Sequence, residues 1–298
     1  MSEVKSIAVI GAGTMGCGIA MTAATSGIKA FQIDISNDQL ERARAYHAKT
    51  LNRNVDKERM TQAEADEAAA RISYHTDIND AREADWAVEA VLEELDLKKD
   101  VFRSMQKTFG PNVVLATNTS SISITDLASA VGNDAQRVIG MHFFNPVPVM
   151  KLVEVVKGKQ TSAETTKRTI ELSERLGKTP VPANDSPGFV SNRVLMPMIN
   201  EGFHAWADGV AEPEDIDQIM MLGCAFPMGP LRLADYIGLD VCVNIMNVMR
   251  DGLGSDKYAP APKLVELVKQ GHLGNKTGRG VYDYTQKEKK AKAVTAGA

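Results

Sequence analysis

Residues 6–27 read SIAVIGAGTMGCGIAMTAATSG, and this stretch decides the fold. Five apolar or small residues, SIAVI, suit a buried strand. They run directly into Gly11-Ala12-Gly13-Thr14-Met15-Gly16, which opens a helix that runs to about Ser26, with Gly27 placed as its C-terminal cap. Each glycine has a steric task. Gly11 makes the tight turn, Gly13 lets the backbone approach a pyrophosphate, and Gly16 lets helix and strand pack closely. The helix N-terminus then presents N–H groups to phosphates. The next strand candidate, KAFQID (29–34), ends in Asp34, 23 residues after Gly11 and 18 after Gly16. That is close to the ~20 of a dinucleotide fingerprint. A carboxylate there accepts a ribose 2′-hydroxyl and repels a 2′-phosphate. No arginine follows in Ile35, Ser36 or Asn37, so NAD is expected over NADP.

Working outward, short β-rich runs alternate with helical stretches up to about Pro182, the pattern of a parallel sheet wrapped by helices. The further strand candidates are WAVEAV (86–91), NVVLAT (112–117), RVIGMHF (137–143), KLVEVV (151–156) and PVPA (180–183). Beyond Ser186-Pro187-Gly188 the chain reads as helices, at 189–207, 214–222 and 231–249, punctuated by glycine and proline. The expected architecture is α/β: a Rossmann-like doubly wound sheet over 1–186, with a helical insertion at 35–71, then an all-α domain over 187–298. The last residues, QKEKKAKAVTAGA, carry four lysines without apolar periodicity and read as a solvated tail.

Composition narrows the function classes. The 298 residues carry 34 basic and 38 acidic side chains, a formal charge of −4, which argues against a general nucleic-acid binder. Cys17, Cys224 and Cys242 lie far apart and suggest neither a disulfide framework nor a zinc site. No apolar run approaches the ~18–20 residues of a membrane span. The start lacks the basic and apolar regions of a signal peptide. A soluble cytoplasmic protein is the expectation.

Ligands of open α/β sheets bind beyond the carboxyl ends of the strands, and two such ends carry reactive groups. VVLATNTSS ends in Asn118, Thr119, Ser120 and Ser121; RVIGMHFFNPVPVM carries His142 and then Asn145. Glu154 stands twelve residues after His142, polar among apolar neighbours. A histidine suits proton removal from a secondary alcohol because its pKa lies near neutrality. A carboxylate on its other nitrogen fixes the tautomer and stabilises the imidazolium. Ser120 is placed either to hydrogen-bond a substrate oxygen or to cap the following helix, with Ser121 beside it read as the cap. Asn192 begins the first helix of the second domain. His47, His75, His204 and His272 show no metal-ligand spacing, and no metal is expected. Within the insertion, residues 35–59 hold six Arg or Lys against four Asp or Glu. Arg42, Tyr46, Lys49, Arg53 and Lys57 recur every three or four residues, as a solvated stripe or a site for an anionic ligand.

With these residues in place, the chain resembles the L-3-hydroxyacyl-CoA dehydrogenases, in the single-function form that includes bacterial 3-hydroxybutyryl-CoA dehydrogenases. VEAVLEELDLKKDVF, NTSS, HFFNPVPVMKLVEVV, DSPGFVSNR, FPMGPLRLADYIGLD and GNKTGRGVYDY occur in the family's order across nearly the whole chain. The resemblance implies His142 as catalytic base with Glu154 as its partner, and Ser120 and Asn192 as holders of the substrate's 3-oxygen and the imidazole. It implies NAD contacts at Gly11, Ala12, Gly13, Thr14, Met15, Gly16, Asp34, Glu93, Lys98, Asn118, Ser120, Asn145 and Lys276. For the acyl-CoA substrate it points to Thr50, Lys57 and Ser120, and for assembly to a homodimer through the helical domain. Two other classes stand beside it: a dehydrogenase of free hydroxy acids or sugar acids, and a non-catalytic NAD-binding protein. Many dehydrogenases of the first class use a lysine early in the second domain; here no lysine occurs between Lys178 and Lys257.

Overall fold

Strand β1 (Ser6–Ile10) is a run of small and β-branched side chains, buried on both faces from Ile7 onward, the signature of a central parallel strand. The structure, a computed structural model, describes residues 3–285; the lysine-bearing tail read from sequence lies outside the described residues. After β1 come α1 (Thr14–Thr25), β2 (Lys29–Ile33), α2 (Asn37–Asp56), α3 (Gln62–Ala70), β3 (Ile72–His75) and β4 (Trp86–Glu89). Then follow α4 (Leu95–Thr108), β5 (Val114–Thr117), α5 (Ile124–Ala128), β6 (Val138–Phe143), β7 (Leu152–Lys157), α6 (Ala163–Arg175) and β8 (Thr179–Asn184).

The eight strands form one sheet in the order β3-β2-β1-β4-β5-β6-β7-β8. Neighbours from β3 to β6 pair in parallel, β7 runs antiparallel to β6, and β8 runs parallel to β7. Alternate side chains serve opposite faces. Ile7, Val9, Trp86 and Val88 pack with Ile19 and Ala23 of α1 on one side. Ala8, Ala87 and Leu115 pack with Phe102 and Met105 of α4 on the other. Helices on both faces of a mostly parallel sheet are the doubly wound α/β arrangement that the glycine turn announced.

Two features differ from the sequence reading. ISYH (72–75) is a strand that the pattern did not reveal, because its four residues follow the end of α3 without an intervening turn signal. It pairs with β2 at the sheet edge. Residues 231–249, read as one helix, are two: α9 (Pro230–Ile237) and α10 (Leu239–Leu253), separated by Gly238 at φ +107°. That conformation is open to glycine and interrupts the helical path.

The chain divides into two compact units after Phe189, slightly beyond the boundary read at 186/187. The second unit is helical, with α7 (Ser191–Ala207), α8 (Pro213–Gly223), α9, α10 and α11 (Pro262–Lys269) around Ile199, Phe203, Leu239, Met246 and Leu264. Among the described residues, no helix is long and apolar enough to cross a membrane.

Candidate active site

The carboxyl ends of β1, β2, β4, β5 and β6 share one edge of the sheet, and most of the expected site residues of the first unit stand there. At the first end, a Cβ on Gly11 (φ +104°) would meet the Ala90 carbonyl oxygen at 2.5 Å, and one on Gly16 would meet the Gly11 oxygen at 1.9 Å. Both positions therefore need glycine for packing. At Gly13 a Cβ would meet nothing within 4 Å, so the backbone there faces open space. Gly13 is the N-cap of α1 and no side chain caps this helix, leaving its first N–H groups for an anion. Asp34 is held rigidly: Oδ2 accepts the Ala12 N–H at 2.9 Å and Oδ1 accepts the Ser36 N–H at 3.0 Å. Beside them lies a cavity of about 1070 Å³, lined by Gly13, Thr14, Met15, Asp34, Asp77 and Asp100 among others, with no lysine or arginine in its wall among the described residues. Open backbone, an uncapped helix and a fixed carboxylate just after β2 together fit NAD. Sequence reasoning missed Gln32, whose buried side chain donates to the Gly11 carbonyl at 2.8 Å and braces the turn.

His142 is the penultimate residue of β6, and the antiparallel register places it directly opposite Glu154 on β7. The twelve-residue spacing thus becomes a cross-strand pair. Nδ1 lies 2.7 Å from Glu154 Oε2, with both side chains buried. An ionised carboxylate only accepts, so Nδ1 carries the proton and Nε2 is the basic nitrogen of the neutral ring. Phe144 and Phe189 flank the imidazole, with centroids at 4.5 and 5.8 Å. This is the base-and-orienter geometry of proton-transfer sites.

The β5 end is organised by Glu93. Its Oε1 accepts from Thr119 Oγ1 (2.6 Å), Ser120 N (2.9 Å), Ser121 N (3.0 Å) and both serine hydroxyls. Burial pushes this carboxyl up, but the Lys98 ammonium and the Thr119 and Ser120 donors outweigh it and hold it below the usual glutamate range. Lys98 is enclosed in the protein, its Nζ 2.6 Å from Glu89 Oε1 and 3.3 Å from Glu93 Oε2. Asn118 Oδ1 accepts the Phe143 N–H at 2.9 Å, tying the ends of β5 and β6 together. The helix cap expected at Ser120 or Ser121 is instead Ser123, whose hydroxyl accepts the Asp126 N–H at 3.2 Å. Two residues of offset free the NTSS turn for Glu93. Glu89 was not singled out from sequence, since an acid in a short apolar strand shows its burial only once the strand has neighbours on both sides.

Asn145 is exposed in the loop after β6, which Lys178 anchors through the Val147 and Met150 carbonyls. Asn192 is buried in the first turn of α7, and Lys276 pairs with Asp240 Oδ2 at 2.7 Å; both belong to the second unit. Arg42, Lys49 and Arg53 stand exposed on α2, Thr50 is half-buried, and Lys57 is the exposed C-cap. Tyr46 is half-buried against the Cys17–Leu40–Ala43 cluster rather than fully on the stripe.

Comparisons with known proteins agree with this geometry. The model of the 3-hydroxyacyl-CoA dehydrogenase NAD-binding domain matches residues 6–186, and that of the family's C-terminal domain matches residues 188–284. A Bacillus subtilis protein named "Probable 3-hydroxybutyryl-CoA dehydrogenase" is 50% identical over 285 residues, 96% of this chain and 99% of that protein. The 3-hydroxyadipyl-CoA dehydrogenase of Escherichia coli is 43% identical over 286 residues, covering 95% of this chain and 60% of its own. The crystal structure of (S)-3-hydroxybutyryl-CoA dehydrogenase from Ralstonia eutropha superposes with a TM-score of 0.92 at 46% identity, over 95% of this chain and all of that one. A glycine turn built for a dinucleotide, a histidine–glutamate pair on adjacent strands and family matches to both domains converge: the chain belongs to the 3-hydroxyacyl-CoA dehydrogenase family.

Proposed function

We propose that the protein interconverts (S)-3-hydroxyacyl-CoA and 3-ketoacyl-CoA with NAD, on short acyl chains such as 3-hydroxybutyryl-CoA and acetoacetyl-CoA. The His142–Glu154 pair, at the same sheet edge as the dinucleotide turn, carries this reading. In the oxidative direction His142 Nε2 accepts the proton of the 3-hydroxyl, and Glu154 stabilises the imidazolium that results. Bound NAD supplies the acceptor for the hydride leaving C3. In the reductive direction the imidazolium returns its proton to the 3-oxygen. Ser120 and Asn192 are assigned to hold that oxygen and the imidazole, and Glu93, Lys98, Asn118, Asn145 and Lys276 to bind the cofactor. Thr50, Lys57 and the exposed cations of α2 are assigned to the anionic end of coenzyme A. The protein is proposed to work in the cytoplasm as a homodimer through the helical unit, where Val194, Val210, Ile219 and Leu222 are exposed.

The test is steady-state absorbance kinetics with NADH or NADPH and acetoacetyl-CoA, a long-chain 3-ketoacyl-CoA or free acetoacetate. Preference for NADH with the short thioester is expected. Equal use of free acetoacetate and its thioester would revive a hydroxy-acid dehydrogenase, and no turnover with any of them a binding protein. Asp34→Ala with Ile35→Arg should shift preference toward NADPH, because it removes repulsion and adds a phosphate partner.

A further inference from the structure

We propose that Glu89 is a positioning residue that sets the Thr119–Ser121 turn through both of its carboxylate oxygens. The inference rests on the dehydrogenase reading above, in which that turn carries Ser120. Glu89 ends β4 and is completely buried. Its Oε2 accepts from Thr117 Oγ1 at 2.7 Å, and the same hydroxyl accepts the Thr119 N–H at 3.1 Å. Its Oε1 accepts from Lys98 Nζ at 2.6 Å, and Lys98 reaches on to Glu93, whose other oxygen receives Thr119 Oγ1 and the Ser120 and Ser121 N–H groups. Two chains of contacts therefore leave one carboxylate and converge on three consecutive residues. The Val91 N–H, at 2.6 Å from Oε1, fixes Glu89 itself.

A buried ion pair is a poor device for stability, since desolvation offsets most of its attraction. A fully partnered buried network does specify geometry. Lys98 is shared between two carboxylates here. Without the charge on Glu89, the ammonium would be left to Glu93 and a long 3.4 Å contact with the Val91 carbonyl, and would draw that carboxylate off the N–H groups it holds.

The experiment uses the full-length protein. Glu89→Gln removes the charge at constant shape, Thr117→Val removes the hydroxyl link without changing charge, and Thr117→Ser restores the hydroxyl. Hydrogen exchange, measured without cofactor, should quicken about tenfold at the Thr119, Ser120 and Ser121 amides in Glu89→Gln and Thr117→Val, and stay near wild type in Thr117→Ser. The single-turnover rate constant for NADH oxidation by acetoacetyl-CoA should fall about tenfold in the first two, with KM for the thioester changed less than about twofold. A role in stability alone would lower the amplitude and leave the rate constant and the local exchange as in wild type, and that result overturns the proposal. If Glu89→Gln does not fold, the two Thr117 variants decide: wild-type exchange and rate in Thr117→Val reject the assignment. A wild-type protein inactive on every 3-ketoacyl-CoA would sink the dehydrogenase reading instead, while the exchange data still decide what Glu89 holds.

Discussion

In the first unit, buried Glu89 and Glu154 face ionisable side chains, Lys98 at 2.6 Å and His142 at 2.7 Å. In the second unit, buried Asp217 and Asp235 accept from backbone N–H groups and phenols, and Asp235 also feels the charge of the Arg232 guanidinium. Asp217 accepts from Leu231 N and Arg232 N, both at 2.8 Å, and from Tyr282 OH at 2.7 Å. Asp235 accepts from Val281 N and Tyr282 N, both at 2.9 Å, and from Tyr284 OH at 3.0 Å. Asp217 thereby caps the start of α9, and Asp235 fastens the segment after Gly280 to the same helix. The crowding shows it: a Cβ on Gly280 would lie 2.0 Å from Asp235 Oδ1, and one on Gly229 2.3 Å from Asp217. Burial alone does not mark a carboxylate as functional. Its donors separate the two cases, because a peptide N–H does not serve as an acid or base at neutral pH, whereas an imidazole does.

The sharpest way to break this contrast is at His142. His142→Gln should lower kcat by at least ~10²-fold with NADH affinity little changed, as loss of a positioned proton-transfer group does; Glu154→Gln should do so less completely. Near wild-type kcat in both would erase the distinction between the two units. Next in size, Asp217→Ala leaves three donors without their acceptor and should destabilise by about 3 kcal/mol or more. Calorimetry should then show a fall in Tm of roughly 5 °C or more, with the single-turnover rate constant of the folded fraction unchanged.

A smaller effect, opposite in sign for the two units, lies in pH. Glu93 is held below the usual glutamate range, so its contribution is present above an ordinary glutamate pKa of ~4.3 and fades as pH falls through its lowered value. Burial pushes Asp235 up despite its hydrogen bonds, so its contribution is fullest below an ordinary aspartate pKa of ~3.9 and fades as pH rises through its raised value. The Tm difference between wild type and Glu93→Gln should therefore grow with rising pH, and that between wild type and Asp235→Asn should shrink. The same slope in both would remove the electrostatic part of the comparison. Smallest is the surface: Lys57→Glu should raise KM for acetoacetyl-CoA about threefold at low salt and leave kcat nearly alone. Added salt should shrink the difference, because the Debye length is ~8–10 Å at physiological strength.

What the sequence determined by itself is whatever depends on near neighbours. Gly11, Gly13 and Gly16 revealed the turn because each acts within a few residues of itself, and β1 and α1 followed from the apolar run before the turn and the glycine-capped stretch after it. Asp34 was legible because a βαβ unit fixes its distance from that turn. His142 and Glu154 were named as a pair, but only the antiparallel pairing of β6 with β7 puts them face to face. The tertiary structure alone decided the rest. Glu89 and Thr117 meet across 28 residues because β4 and β5 are neighbours in the sheet, an order that no local pattern encodes. Strand β3 was hidden because four residues at an edge carry too little periodicity to register. Ser123, not Ser121, caps the helix because α5 begins at Ile124, two residues later than the sequence suggested. Lys98, which only the family resemblance singled out in the sequence, became a buried cation when Glu89 and Glu93 closed around it. Helices and turns are written in contacts a few residues long, whereas a charge network is written in the strand order, and that order exists only in the folded sheet.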